Sequence, residues 1–298
     1  MSDTRPSTQA CAAKASARRT FGAWQPFTGS GISRFADAGA GRTLGFLGAF
    51  ALVTALVLGW TLQTAWWPVV DLAIREFPEQ GPALAGGRFA WPESTPRLLA
   101  DSPHLGVAVR PEGGEPVGRT ADLQLELLPG TLRLAGIAGF VDIPWPAKAD
   151  VPLGRLEARA AWEAWRRPLL GASVVAVTAS MTLAWGLLAL VLAPLLRTGA
   201  LLMGRRITLG GCWRLGTAAL MGASLVLDLG FGGYAMRWLP WPALAAVVVG
   251  HLLVASLQIC WGLLSRPRGV GEGRHSNPFG PAGTKAGSRK SKGNPFGG

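Results

Sequence analysis

The chain has 298 residues, of which 49% are hydrophobic and 15% are charged, whereas soluble domains typically carry about 25% charged residues. This composition excludes an ordinary soluble globular protein and indicates an integral membrane protein. The net charge of +12 is concentrated in the two terminal segments and one short loop, so it predicts membrane topology and no nucleic-acid partner.

The N-terminal segment, residues 1–42, contains six Arg or Lys and two Asp, with no long apolar run. Low hydrophobicity without a sustained period is typical of a disordered arm. Because positively charged segments stay on the cytoplasmic side of a membrane, we expect a disordered basic cytoplasmic arm here.

Residues 43–70, TLGFLGAFALVTALVLGWTLQTAWWPVV, contain no ionisable side chain. A helix of about twenty such residues already crosses a hydrocarbon core about 30 Å thick. The run is too long for the core of a cleaved signal peptide, so we expect a transmembrane helix that is retained as a signal anchor. Trp66 and Trp67 predict its outer interface.

Residues 71–167 carry eleven basic and thirteen acidic side chains and no cysteine, so no disulfide can stabilise them. Polar and apolar residues alternate over 122–127 and again over 131–134, a pattern that predicts a β-hairpin. We expect a small β-rich extracytoplasmic domain that leans on the bilayer or on a partner. It ends in an amphipathic helix, residues 154–167, whose Trp162 and Trp165 are predicted to lie against the membrane.

Three further apolar runs cover residues 168–196, 215–236 and 242–264. The loop at 197–214 has four Arg and no acid, and the tail at 265–298 has seven basic residues and one acid, which predicts cytoplasmic positions for both and disorder for the tail. The fold class expected is therefore a membrane α-helical protein. It is a four-helix transmembrane bundle with a small β-rich extracytoplasmic domain inserted between helices 1 and 2, and with both termini inside.

Sequence motifs for enzymatic chemistry are missing. The chain has no P-loop, no His-Glu-x-x-His, no Cys-x-x-Cys and no Gly-x-Ser-x-Gly. The extracytoplasmic segment has a single histidine, His104, which makes a transition-metal site improbable. We therefore predict no enzyme, no catalytic residue, no cofactor and no metal.

Two polar side chains stand inside the apolar runs, Asp228 in the third and His251 in the fourth. Both are expensive to place in lipid, so each is expected to face another helix. Counting about 1.5 Å per residue from the intervening turn puts them at similar depth, which makes a polar pair possible. Two interpretations stay open: a structural hydrogen bond between helices, worth about 1 kcal/mol or less, or a proton or ion relay.

Four segments resemble an uncharacterised family of bacterial inner-membrane proteins that have four spans and one large extracytoplasmic loop between the first two. The segments are WQPFTGSGISRFADAGAGRTL (24–44), LLADSPHLGVAVRP (98–111), ADLQLELLPGTLRLAGIAGF (121–140) and WEAWRRPLL (162–170). The resemblance implies a multi-pass protein of the bacterial inner membrane. It implies no activity, cofactor or catalytic residue.

Two functional hypotheses follow. The first is a non-enzymatic accessory or interaction subunit, surrounded by the lipid bilayer, whose β-rich domain meets a membrane-protein partner or a second copy of the chain. The alternative is a transport or ion-coupling component that uses Asp228 and His251. A membrane-embedded enzyme is a weaker third.

Overall fold

The computed structural model describes residues 25–111, 118 and 121–267. Most of the predicted N-terminal arm and of the C-terminal tail lies outside these residues, so disorder there stays a prediction.

Within these residues, four helices are long and apolar enough to cross a membrane, and a β-sheet region separates the first from the second, as predicted. A short helix, α1 (Gly29–Phe35), precedes them. The first long helix consists of α2 (Ala40–Thr61), a π-helical turn (Leu62–Trp66) and α3 (Trp67–Arg75); the others are α4 (Arg155–Leu202), α5 (Leu209–Ala235) and α6 (Trp241–Leu264). We call the end of the bundle that carries the sheets the sheet end, and the opposite end the far end.

Helix α5 is the centre of the bundle, with α2, α4 and α6 packed around it. Sixteen of its 27 residues are buried, and most of them are Gly, Ala, Ser or Thr, which allow close approach of the neighbouring helices. Helix α4 differs: only four of its 48 residues are buried, and Leu190, Val191 and Leu195 are more than half exposed. The bundle is therefore apolar on its outside as well as in its interior.

Helix α1 lies where the sequence predicted a disordered arm, so that prediction is wrong for residues 29–35. The Thr28 hydroxyl accepts a hydrogen bond from the Gly31 N–H (3.1 Å) and caps the helix. Ile32 and Phe35 are fully buried, and a Cβ on Gly262 of α6 would collide with Ile32. Two apolar side chains in a polar segment are too few to raise its mean hydropathy, which is why the sequence pattern did not show the helix.

Helix α4 joins two segments that the sequence treated separately, the amphipathic helix at 154–167 and the second span, and it runs through Pro168 without a break. At 1.5 Å per residue it is about 72 Å long, far more than a bilayer core requires. Its first turns continue beyond the bundle beside α3. The Trp162 indole N–H donates to Asp71 Oδ1 (2.7 Å), and the indole ring packs edge-on against Trp67. The Trp162 side chain therefore faces α3.

The described part of the sheet region contains eight strands in two sheets. The strands are β1 (Ala83–Ala85), β2 (Arg88–Ala90), β3 (Arg97–Asp101), β4 (Leu105–Val109), β5 (Leu123–Leu127), β6 (Thr131–Gly136), β7 (Gly139–Pro144) and β8 (Asp150–Pro152). The small sheet has the order β2-β1-β8 and the larger one β3-β4-β5-β6-β7. The predicted hairpin is β5–β6, with Leu125 opposite Leu134. Strands β4 and β5 are parallel, whereas the other pairs are antiparallel.

Candidate functional site

A cavity of about 320 Å³ lies between the larger sheet and the sheet end of the bundle. Strands β5, β6 and β7 and the turn between the last two form one wall. The opposite wall is formed by Trp66 of the π-helical turn, Tyr234 at the end of α5 and Trp241 at the start of α6. The volume falls at the lower end of the range for small-molecule sites, about 300–1,000 Å³.

The alternation of residue types along the strands makes the sheet wall of this cavity apolar. Side chains alternate between the two faces of a strand, and the pairing register places the leucines of β5 and β6 on the same face as Val141 and Ile143 of β7. The opposite face is polar. There Arg133 donates two hydrogen bonds to Asp142, at 2.7 and 2.9 Å, which hold the pKa of the Asp142 carboxyl below its usual value.

A polar cluster joins the sheet to α5 at one side of the cavity. The Tyr234 hydroxyl donates to Asp122 Oδ2 (3.1 Å), and His104 Nδ1 lies 3.8 Å from the same carboxylate oxygen. The rings of His104 and Tyr234 are 4.3 Å apart between centroids. These contacts fix the start of β5 on the end of a bundle helix, more than a hundred residues away in the chain.

Burial favours the neutral form of His104 in this cluster. Burial lowers its pKa from the ordinary 6.5, the charge of Asp122 raises it and that of Arg237 lowers it, and the net change is downward. The side chain is 4% exposed, and among the described residues neither ring nitrogen has a hydrogen-bond partner. The imidazole therefore contributes packing to the cluster and no ion pair.

Trp66, a residue of the cavity wall, carries an unpaired donor that is buried in the protein. Within the part of the chain that the structure describes, its buried indole N–H has no acceptor. A buried donor without a partner costs about 1–3 kcal/mol. The cavity is thus apolar with a few polar groups at its edge, which is the usual composition of a ligand site.

Asp228 and His251 do not form the predicted pair. Across the described residues, both carboxylate oxygens and both ring nitrogens lack a hydrogen-bond partner. The Asp228 carboxylate has Thr54 of α2 as a neighbour, whereas His251 packs against Trp185 of α4, with 6.2 Å between ring centroids. Counting residues along two helices predicts the depth of a side chain but not its direction. Successive side chains of a helix point about 100° apart around its axis, and Asp228 and His251 consequently face different neighbours.

Sequence reasoning missed the cluster at the sheet end. His104 was noted only as the single histidine of its segment, and Asp122 only as part of a strand. One signal was available: Tyr234 is the only tyrosine of the chain, and it stands at the end of an apolar run, where a ring with a polar tip is favoured at a membrane surface. Among residues 25–111, 118 and 121–267, no group of three or more His, Cys, Asp or Glu is placed to hold a metal ion.

Comparison with protein-family models, with curated proteins and with solved structures found no match to this chain. The family resemblance of its sequence segments stays a prediction.

Proposed function

We propose that the chain is a non-enzymatic multi-pass protein of the bacterial inner membrane that acts as an accessory subunit and presents its sheet region to a membrane-protein partner. Both termini and the far end of the bundle are cytoplasmic in this proposal, and the sheets are extracytoplasmic. The apolar outside of the bundle supports a lipid environment, because leucines of α4 that are more than half exposed would be unfavourable in water.

The observation that carries the proposal is a set of three hydrogen bonds that attach the sheet region to the helices. The Arg155 guanidinium donates to the Phe77 carbonyl (2.8 Å). This hydrogen bond joins the two ends of the sheet region. The Trp162–Asp71 hydrogen bond joins the two helices that hold it, and the Tyr234–Asp122 hydrogen bond fixes it to α5. A domain held at three points is suited to present a surface in one orientation.

The surface best suited to a protein partner is an apolar groove between the first turns of α4 and the sheets. It encloses about 320 Å³ and is lined by Phe89, Leu127 and Trp145 from the sheet region and by Trp162 and Trp165 from α4. Trp165 is 63% exposed. Exposed aromatic side chains beside an apolar groove are typical of interaction sites, where buried aromatics contribute much of the binding energy.

Photo-crosslinking in the native membrane tests this proposal. A photoreactive phenylalanine replaces Trp165 in one variant and Lys148, an exposed polar position of the same region, in the matched control. We expect a discrete protein adduct from position 165 and none from 148, identified by mass spectrometry. Purification of the chain alone with no adduct from position 165 would contradict the proposal, and an adduct of twice the chain mass would make the partner a second copy.

The alternative, ion coupling through an Asp–His pair, has less support, because the two side chains face different helices.

A further inference from the structure

The apolar face of the larger sheet is only partly covered by the protein. Val69 and Ala73 of the first long helix, together with Phe77 just after it, pack on the residues of β4 that share this face, and they form the core of the sheet region. Strands β6 and β7 extend beyond this cover. On them Val141 is 61% and Ile143 49% exposed, and Ile137 in the connecting turn is 58% exposed.

The uncovered part of the face lies at the sheet end of the bundle, at the level of Trp66 and Trp241. This position follows from the cavity, whose two walls are the β6–β7 turn and these two tryptophans. Tryptophans at the ends of apolar helices mark the boundary between hydrocarbon and headgroups. The β6–β7 hairpin therefore projects over the surface where the lipid-facing sides of the helices end.

The polarity of the hairpin fits a lipid surface. Its face toward the cavity is apolar, whereas the other face carries the Arg133–Asp142 ion pair. A long apolar edge strand in water is an aggregation hazard that proteins normally block with charges or cover. An element that is apolar on one side and charged on the other is stable at a lipid–water boundary.

We propose that the β6–β7 hairpin rests on the outer leaflet of the bilayer and that the cavity beneath it takes an acyl chain of a phospholipid. The apolar lining favours a hydrocarbon chain over a polar ligand. This inference rests on the proposed placement of the four helices in a membrane and adds a lipid site to it.

Lipid photo-crosslinking tests the site with an internal control for membrane placement. A photoreactive phenylalanine replaces Ile137, Leu190 of α4 or Lys148, and each variant is reconstituted in vesicles of phosphatidylethanolamine and phosphatidylglycerol. We expect phospholipid adducts from positions 137 and 190 and none from 148, measured by intact mass. Adducts from 190 without adducts from 137 would overturn the lipid site alone. Their absence from both positions would overturn the membrane placement and, with it, the proposed function.

A pair of cavity variants tests whether the chain enters the cavity. Leu134→Trp fills the cavity from β6, whereas Leu132→Trp adds the same ring on the same face of the strand outside the cavity lining. We expect the lipid adduct at position 137 to fall several-fold with Leu134→Trp and to stay unchanged with Leu132→Trp. Ala138→Trp, in the hairpin turn, replaces Leu134→Trp if that variant does not accumulate. Equal adduct yields from filled and control variants would overturn the acyl-chain site.

Discussion

His104 is the residue through which pH acts on the junction between the sheet region and the bundle. It is held between Asp122 at the start of β5 and the Tyr234 ring at the end of α5, and the charge of Arg237, just after this helix, also acts on it. Its pKa responds to two charged neighbours, Asp122 and Arg237. Its neutral form fits this place because burial penalises the imidazolium more than the Asp122 carboxylate stabilises it.

We expect the folded chain to lose stability as the pH falls below about 6.5. The pKa of His104 is lowered on folding, so the unfolded chain binds the proton more readily, and the stability present above the unfolded pKa is lost as the pH falls through the folded one. Each unit of that lowering is worth about 1.4 kcal/mol. Thermal unfolding in detergent across this range should show a smaller pH dependence for His104→Gln than for the parent chain. Stabilisation of the parent chain at low pH, without stabilisation of His104→Gln, would contradict this expectation. It would show that an ion pair between His104 and Asp122 outweighs the cost of burying the charged imidazole.

Helix α1 and the residues just before it form an element that reaches into the bundle from the far end. The Arg214 guanidinium of α5 donates to the Ala36 carbonyl (2.8 Å), and Arg266, just after α6, donates to the Ser33 carbonyl (3.1 Å). The helix is therefore held by α5 and by the segment that follows α6. Ahead of it, Pro26 is buried, and its carbonyl oxygen lies against Gly222 of α5. The absence of a side chain at Gly222 makes room for this segment.

Gly222→Ala should displace the segment before α1. A Cβ at this position would collide with the Pro26 backbone and the Gln258 side chain, whereas a Cβ on Gly232 of the same helix would meet nothing within 4 Å. We expect trypsin to cleave after Arg34 several times faster in Gly222→Ala than in Gly232→Ala, because α1 loses its anchor. Equal cleavage rates in the two variants would show that the segment is not seated at Gly222.

The elements that the sequence predicted are those with a local pattern. Four apolar runs predicted the long helices, and the alternation around Pro129-Gly130 predicted the β5–β6 hairpin. The parallel pairing of β4 with β5 has no local pattern, because parallel strands are joined by a long connection. The cavity could not be predicted from the sequence for the same reason, because Trp66, Asp122 and Tyr234 come together only in the folded chain.

The whole molecule is polar at its two ends and apolar along its sides. Beyond the far end of the bundle the loop between α4 and α5 carries Arg205 and Arg206, and the sheet region at the other end has a nearly balanced charge. Cytoplasmic loops of membrane proteins are enriched in Arg and Lys. The basic residues and the charge-balanced region therefore lie at opposite ends of the bundle. This difference is the basis for the membrane orientation that we propose, with the far end in the cytoplasm.

Cysteine labelling at the two ends of the molecule tests this orientation. Lys148→Cys places a thiol on the exposed loop between β7 and β8, and Arg206→Cys places one on the exposed far-end loop. A membrane-impermeant maleimide should modify Lys148→Cys in intact spheroplasts, and it should modify Arg206→Cys only after permeabilisation. Peptide mass spectrometry separates both from the three native cysteines, which are Cys11, the buried Cys212, and Cys260 on the apolar side of α6. Labelling of both positions before permeabilisation would place the two ends on one side, which four membrane crossings by these helices cannot produce.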